Sequence, residues 1–125
     1  MRVFKNKWFH RWARGEGIAD HILFSAAKDV VSGIVEADLG GYLFKKRIAQ
    51  AGRGKRGGYR VLIGYRKPNS ERVIFLYAFA KNERSNISSR EEAALSLVAE
   101  RFIAATDRQI NDLLKIGSIC EVKNE

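Results

Sequence analysis

A glycine-rich segment near the middle of the chain holds the residues best suited to chemistry. Residues 52–60 have the sequence GRGKRGGYR. Glycine lets the backbone approach a ligand closely and present its N–H groups, and Arg53, Lys55 and Arg56 add positive charge beside them. The segment therefore predicts a loop that holds phosphate groups. The alternative interpretation is an ordinary hairpin loop whose charges serve solubility.

Arg60 differs from the loop residues because it lies on a predicted strand. Tyr59 and Val61 on either side of it belong to one face of that strand, and Arg60 belongs to the other. An arginine that is buried without a partner is costly. We therefore expect Arg60 either to pair with a carboxylate, such as that of Glu83, or to point into a site.

A second polar cluster follows the next predicted strand, where residues 81–85 read KNERS. Functional groups often stand at such strand ends. If the two strands pair across the turn at Pro68, Arg60 should lie near Phe79 or Ala80, and both clusters should meet at one end of the sheet. The alternative is that Lys81 and Arg84 are solvent-facing cations.

The charge of the chain is concentrated around these residues. The net charge is +9, and residues 42–67 contain nine of the 23 basic residues and none of the 14 acidic ones, so the remaining 23 − 9 = 14 basic residues are balanced. Such a concentration of one sign favours a polyanionic partner, and we interpret it as a surface for nucleic acid, RNA in particular. An acidic protein or a membrane surface is the alternative partner.

Other chemistries find little support in the composition. Two histidines and one cysteine, Cys120, are too few for a zinc site or a histidine-dependent nucleophile. The acidic residues do not cluster, and the glycines match no nucleotide-binding pattern. We expect no metal, no cofactor and no membrane contact, and the absence of a secretory signal and of cysteine pairs predicts a cytoplasmic protein.

The elements that must position these residues follow from apolar periodicity. The pattern predicts a strand, two helices, three meandering strands and one or two final helices. The predicted ranges are 2–5 (strand), 8–12 and 18–31 (helices), 43–49, 59–66 and 73–80 (strands), and helices that begin near 89 and 106. This order predicts an α+β fold with a small, mainly antiparallel sheet, N-terminal helices and a C-terminal helix, in one domain over residues 1–125.

Two of these elements carry more specific signals. Residues 73–80 are apolar at every position, which predicts a central strand that is covered on both faces. The first C-terminal helix should begin with a capping box formed by Ser88 and Glu91 or by Ser89 and Glu92.

The order of these motifs resembles the RelE superfamily of toxins, and most closely its HigB-like branch. The resemblance rests on Gly-Gly-Tyr-Arg at 57–60, an apolar strand, a turn, a second apolar strand and Ala-Lys-Asn-Glu-Arg-Ser at 80–85. It extends over the whole chain and is strongest between Leu43 and Ser88. Members of the family are neutralised by a cognate antitoxin, and we expect an acidic antitoxin segment to lie against the basic face.

The resemblance implies a toxin that enters the ribosomal A site and cuts messenger RNA during translation. The RNA's own 2′-hydroxyl attacks the adjacent phosphate, and no metal or cofactor takes part. Arg60 matches the family's phosphate-stabilising arginine. The implied catalytic residues are Arg60, Lys81, Arg84 and Lys55, and the implied RNA-binding residues are Lys45, Lys46, Arg47, Arg53, Arg56 and Arg66.

The chain also departs from the family pattern at two positions. Asn82 stands where some members have an active-site arginine, and Ser88 stands where some have a tyrosine that stacks on the substrate base. A related branch poisons DNA gyrase without cleaving RNA. Two other functions therefore remain open, a toxin that acts by binding its target and a nucleic-acid-binding regulator.

Overall fold

The computed structural model describes residues 1–50, 58–66 and 71–124. Within these ranges it contains one six-stranded sheet and four helices. The elements in chain order are β1 (Arg2–Asn6), α1 (Lys7–Glu16), α2 (Asp20–Val31), β2 (Ala37–Gly40), β3 (Leu43–Ile48), β4 (Tyr59–Tyr65), β5 (Arg72–Ala80), α3 (Ser89–Ala104), α4 (Asp107–Lys115) and β6 (Ile119–Glu121).

The sheet has the order β2-β3-β4-β5-β1-β6, and its pairs are antiparallel except for β1 with β5. The predicted α+β class and mainly antiparallel sheet are confirmed. Strand β5 is central, as its apolar sequence predicted. Arg60 pairs with Phe79 in the register of β4 and β5, which is one of the two partners expected.

Two strands were not predicted. Strand β2 has the sequence ADLG, which is poor in the β-branched and aromatic residues typical of strands, and it pairs with β3 through a register shift. Strand β6 has only three residues and adds to the free edge of β1. Both strands are held by the neighbours that tertiary structure supplies, so local sequence carries little signal for them.

The helices divide between the two faces of the sheet. Helices α1 and α2 cover one face, where Phe9 and Leu23 pack with Val61 and Phe75 of the strands. The N-terminus of α1 is capped by the side chain of Asn6, which accepts a hydrogen bond from the backbone N–H of Phe9. We call this side the α1–α2 face.

Helices α3 and α4 cover the other side, which we call the α3–α4 face. The predicted capping box of α3 is formed by Ser88 and Glu91, and Thr106 caps α4 in the same manner. Gly64 lets α3 approach β4, because a Cβ there would stand 3.0 Å from the Cβ of Ala99. None of the helices in the described ranges has both the length and the apolar character needed to cross a bilayer.

Candidate functional site

Three cations lie side by side on the α3–α4 face of β3 and β4. Alternation along β3 puts Leu43, Lys45 and Arg47 on this face, since Leu43 belongs to its core. Arg47 is the register partner of Arg60 on β4, so their side chains leave the sheet on the same side. We call Lys45, Arg47 and Arg60 the basic cluster.

Arg60 is held by a carboxylate. Its Nε donates to Glu36, with the nitrogen 2.9 Å from the carboxylate oxygens, and only 11% of the Arg60 side chain is exposed. A carboxylate partner was one of the two outcomes expected from the sequence, and the carboxylate is that of Glu36 and not that of Glu83, which was the example given. Glu36 comes from the segment just before β2, and its backbone N–H donates to the carbonyl of Lys45.

Lys45 shares the same carboxylate. Its Nζ lies 3.9 Å from a Glu36 oxygen and 3.5 Å from the side-chain oxygen of Asn86. One guanidinium nitrogen of Arg47, Nη2, is buried and makes no hydrogen bond. A buried donor without an acceptor costs about 1–3 kcal/mol, and more when it carries charge. Among the described side chains, the carboxylate that contacts Lys45 and Arg60 of the basic cluster is that of Glu36.

Arg84 borders the basic cluster and is fully engaged by the protein. Its guanidinium binds both carboxylate oxygens of Glu91, its Nε donates to the backbone of Asn86, and it lies over the ring of Phe79 at 5.6 Å. The hydrogen bonds from Arg84, and then that from the backbone of Ser88, lower the pKa of Glu91 to about 2. Arg84 thus fastens the loop after β5 to the start of α3.

An irregularity in β5 adds aromatic side chains to this surface. Strand β5 has one extra residue where Leu62 pairs with Tyr77 and Ile63 pairs with Phe75, so Leu76 and Tyr77 both lie toward the α3–α4 face. The Tyr77 hydroxyl accepts a hydrogen bond from Arg84, and the Tyr77 ring stacks on Trp8 at 4.6 Å.

Lys81 and Gly58 join the two polar segments at this end of the sheet. The backbone N–H of Lys81 donates to the carbonyl of Gly58, and the Lys81 amine donates to the carbonyl of Ser85 at 2.8 Å. Gly58 has φ +64°, and a Cβ there would stand 2.8 Å from the carbonyl oxygen of Ile48. The Gly-Tyr-Arg segment therefore requires glycine at this position, both for its backbone conformation and for the space.

The structure does not bring all the predicted residues together. Lys46 lies on the α1–α2 face, where its amine is 3.2 Å from Asp29. Arg66 follows the far end of β4, about 20 Å along the strand from Arg60. Arg53, Lys55 and Arg56 lie outside the described residues. The described part of the chain has no group of three or more histidine, cysteine, aspartate or glutamate side chains placed to hold a metal ion.

Sequence reasoning missed Glu36 and the aromatic pair of Trp8 and Tyr77. Glu36 could have been found from the Gly40-Gly41 pair, which is a turn signal and predicts that the chain folds back beside β3. For the aromatic pair no local signal exists, because it depends on the extra residue in β5. Ser88 stands where some family members have a base-stacking tyrosine, and in this chain it is the N-cap of α3.

Comparison with known proteins assigns most of the chain to one family. A family model described as the RelE toxin of the RelE / RelB toxin-antitoxin system matches residues 1–122. A comparison with curated proteins gave no significant match. The match agrees with the resemblance seen in the motifs, while the HigB-like branch stays a prediction.

Proposed function

The chain belongs to the RelE family of toxins from toxin–antitoxin systems, and from that premise we propose that it is a ribosome-dependent endoribonuclease that cuts messenger RNA. The family implies a cognate antitoxin as its partner. RNA in the ribosomal A site is the proposed substrate, and cleavage needs only the RNA's 2′-hydroxyl and side chains of the toxin.

The observation that carries this proposal is the charge imbalance of the basic cluster. Within the part of the chain that the structure describes, Lys45, Arg47 and Arg60 face one carboxylate, that of Glu36, and Arg47 has a buried nitrogen without an acceptor. A protein that folds around such a group gives up stability at that position, which is typical of sites kept for a ligand. A phosphate diester supplies the missing negative charge and offers acceptor oxygens to guanidinium groups.

The proposed mechanism divides the work among rigidly held groups. Arg60 and Arg47 orient the scissile phosphate and stabilise the added negative charge of its pentacoordinate state. Lys81 protonates the leaving 5′-oxygen, and its amine is held near the end of β5 by the Ser85 carbonyl. Arg84 supports this arrangement by fixing the loop beside the basic cluster. The products are a 2′,3′-cyclic phosphate and a free 5′-hydroxyl.

The same surface suits the antitoxin. An acidic antitoxin segment that covers the basic cluster would place carboxylates where the RNA phosphates bind, and neutralisation would follow from simple competition.

The test compares Arg60→Ala with Arg66→Ala, which removes the same charge from a residue just beyond the far end of β4, outside the basic cluster. Primer extension on messenger RNA from cells that express each protein should show cleavage by the parent and by Arg66→Ala. Arg60→Ala should lose about 10²–10³ in rate, the usual effect of removing one such electrostatic group. Circular dichroism checks that each variant is folded.

Two outcomes would contradict the proposal. Cleavage by a folded Arg60→Ala protein at the parental rate would remove Arg60 from the mechanism. Growth arrest by the parent with messenger RNA intact would overturn RNA cleavage itself and would favour a toxin that acts by binding another target, such as gyrase.

A further inference from the structure

Among the described side chains, the acidic residue that contacts the basic cluster is Glu36. It contacts Arg60 at 2.9 Å and Lys45 at 3.9 Å, and about a third of its side chain, 35%, remains exposed to solvent. Its carboxylate therefore lies at the surface where a phosphate would meet the same two cations.

Cleavage by the 2′-hydroxyl requires a group that accepts a proton. Arginine does not deprotonate in proteins, and a lysine side chain of ordinary pKa carries its proton at neutral pH. Asn86, which also contacts Lys45, is not basic. In the described part of the site, a carboxylate is the group that stands ready as a proton acceptor at neutral pH.

We propose that Glu36 is the general base of the reaction. This inference rests on the proposed function and adds a residue and a role to it. The Glu36 carboxylate takes the proton of the 2′-hydroxyl, the 2′-oxygen forms a bond to phosphorus, and the bond from phosphorus to the 5′-oxygen breaks. The leaving 5′-oxygen receives a proton from Lys81, so protons and charges balance over the step.

The contact between Glu36 and Arg60 suits this role. The 2′-hydroxyl of a nucleotide lies next to its own 3′-phosphate, so a base for that hydroxyl must stand beside the groups that hold the phosphate. A carboxylate beside a phosphate is normally repelled by it. Arg60 and Lys45 lie against the carboxylate and offset that repulsion.

A positioning role for Glu36 makes a different prediction. If Glu36 only holds Arg60 in place, glutamine keeps one of the two oxygens beside Arg60 Nε, so any loss of rate should come with a matching loss of RNA binding. If Glu36 is the base, glutamine should fail, because an amide does not take up a proton at neutral pH. Glu36→Gln therefore separates the two roles.

The experiment measures single-turnover cleavage of a messenger RNA on programmed ribosomes at neutral pH, with toxin in excess. Glu36→Gln is compared with the parent and with Asp29→Asn, which removes a carboxylate that contacts Lys46 on the opposite face of β3. A messenger RNA with 2′-deoxy or 2′-O-methyl sugar at the cut position measures binding without cleavage.

We expect Glu36→Gln to lower the rate of the chemical step by about 10²–10⁴-fold, the usual contribution of a general base. Binding of the uncleavable messenger RNA should be as strong as in the parent or stronger, because a negative charge has left the basic cluster. Asp29→Asn should cleave at the parental rate.

Two results would overturn the inference. The first is a Glu36→Gln rate within a few-fold of the parental rate, which would leave Glu36 a positioning residue. The second is loss of rate together with loss of binding. Each leaves RNA cleavage by the parent standing, whereas failure of the parent to cleave on ribosomes removes the proposed function itself.

Discussion

Replacing Arg47 with methionine should stabilise the protein while it weakens RNA binding. Arg47 lies beside Arg60 in the β3–β4 register, and its Nη2 is buried without an acceptor. Methionine keeps an unbranched stem of similar reach and removes the unpaired donor and one positive charge. An unsatisfied buried donor costs about 1–3 kcal/mol, so the free energy of unfolding should rise by about 1–2 kcal/mol once lost packing is allowed for.

The expected effects are large enough to measure. For a domain of this length, 1 kcal/mol corresponds to a change in Tm of about 3–6 °C, so Tm should rise by roughly 3–12 °C. A hydrogen bond from arginine to phosphate is worth about 1.5–3 kcal/mol, so affinity for RNA should fall about 10- to 150-fold. The slope of log affinity against log salt should become shallower by about 0.7, the value for one phosphate contact on a single strand.

Lys46→Met is the matched control. Lys46 is the neighbour of Arg47 on β3, but its amine contacts Asp29 on the α1–α2 face. Its loss should cost at most about 1 kcal/mol of stability, the range for a partly exposed ion pair. It should leave the salt slope for RNA unchanged.

The assays are thermal unfolding and fluorescence titration with a labelled 2′-O-methyl RNA, which offers no nucleophile. A lower Tm for Arg47→Met, together with unchanged RNA affinity, would refute the reasoning. That result would mean that the Arg47 guanidinium finds its partners within the folded protein and that its place beside Arg60 has no bearing on RNA.

Two further predictions concern stability. The folded-state pKa of Glu91 is about 2 against an ordinary value of 4.5, so its contact with Arg84 contributes fully above pH 4.5 and is lost as the pH falls toward 2. Glu91→Gln should therefore lower Tm at pH 7, and the Tm of the variant should fall less than that of the parent as the pH drops below 5. A variant whose Tm falls as steeply as that of the parent would contradict this prediction. Gly64→Ala should cost about 1–3 kcal/mol, because its Cβ would lie 2.9 Å from Ile74 and 3.0 Å from Ala99. In urea unfolding, Ala99→Gly should recover part of that loss if the contact with α3 is its cause.

The elements predicted correctly are those whose signal lies within one segment. The apolar run at 73–80 is long enough to require cover on both faces, and it became the central strand β5. The Ser88 and Glu91 spacing fixed the start of α3, because both partners of a capping box lie within one turn. The ranges 37–40 and 119–121 form strands only through pairing with β3 and β1, so their sequences gave little indication.

The site shows the same division. That Arg60 would need a partner followed from its place on a strand, because a buried guanidinium is costly wherever the chain puts it. The identity of the partner did not follow, since Glu36 reaches Arg60 only through the β2–β3 hairpin. The alternation along β3 already separates Lys46 from Lys45 and Arg47. The packing of α2 and of the β2–β3 hairpin decides which carboxylate each of these cations contacts: Asp29 of α2 contacts Lys46, and Glu36 contacts Lys45.

The sequence by itself determined that a strong positive charge would stand on neighbouring strands around a Gly-Tyr-Arg segment, because charge and strand alternation are local properties. It also determined the toxin family, because the order of short motifs is read directly from the chain. Only the tertiary structure decided that Glu36 lies against Arg60 and Lys45 and that Arg47 is left with a buried, unpaired nitrogen. The physical reason is that such contacts join residues far apart in sequence, and their energies depend on burial that no single segment creates.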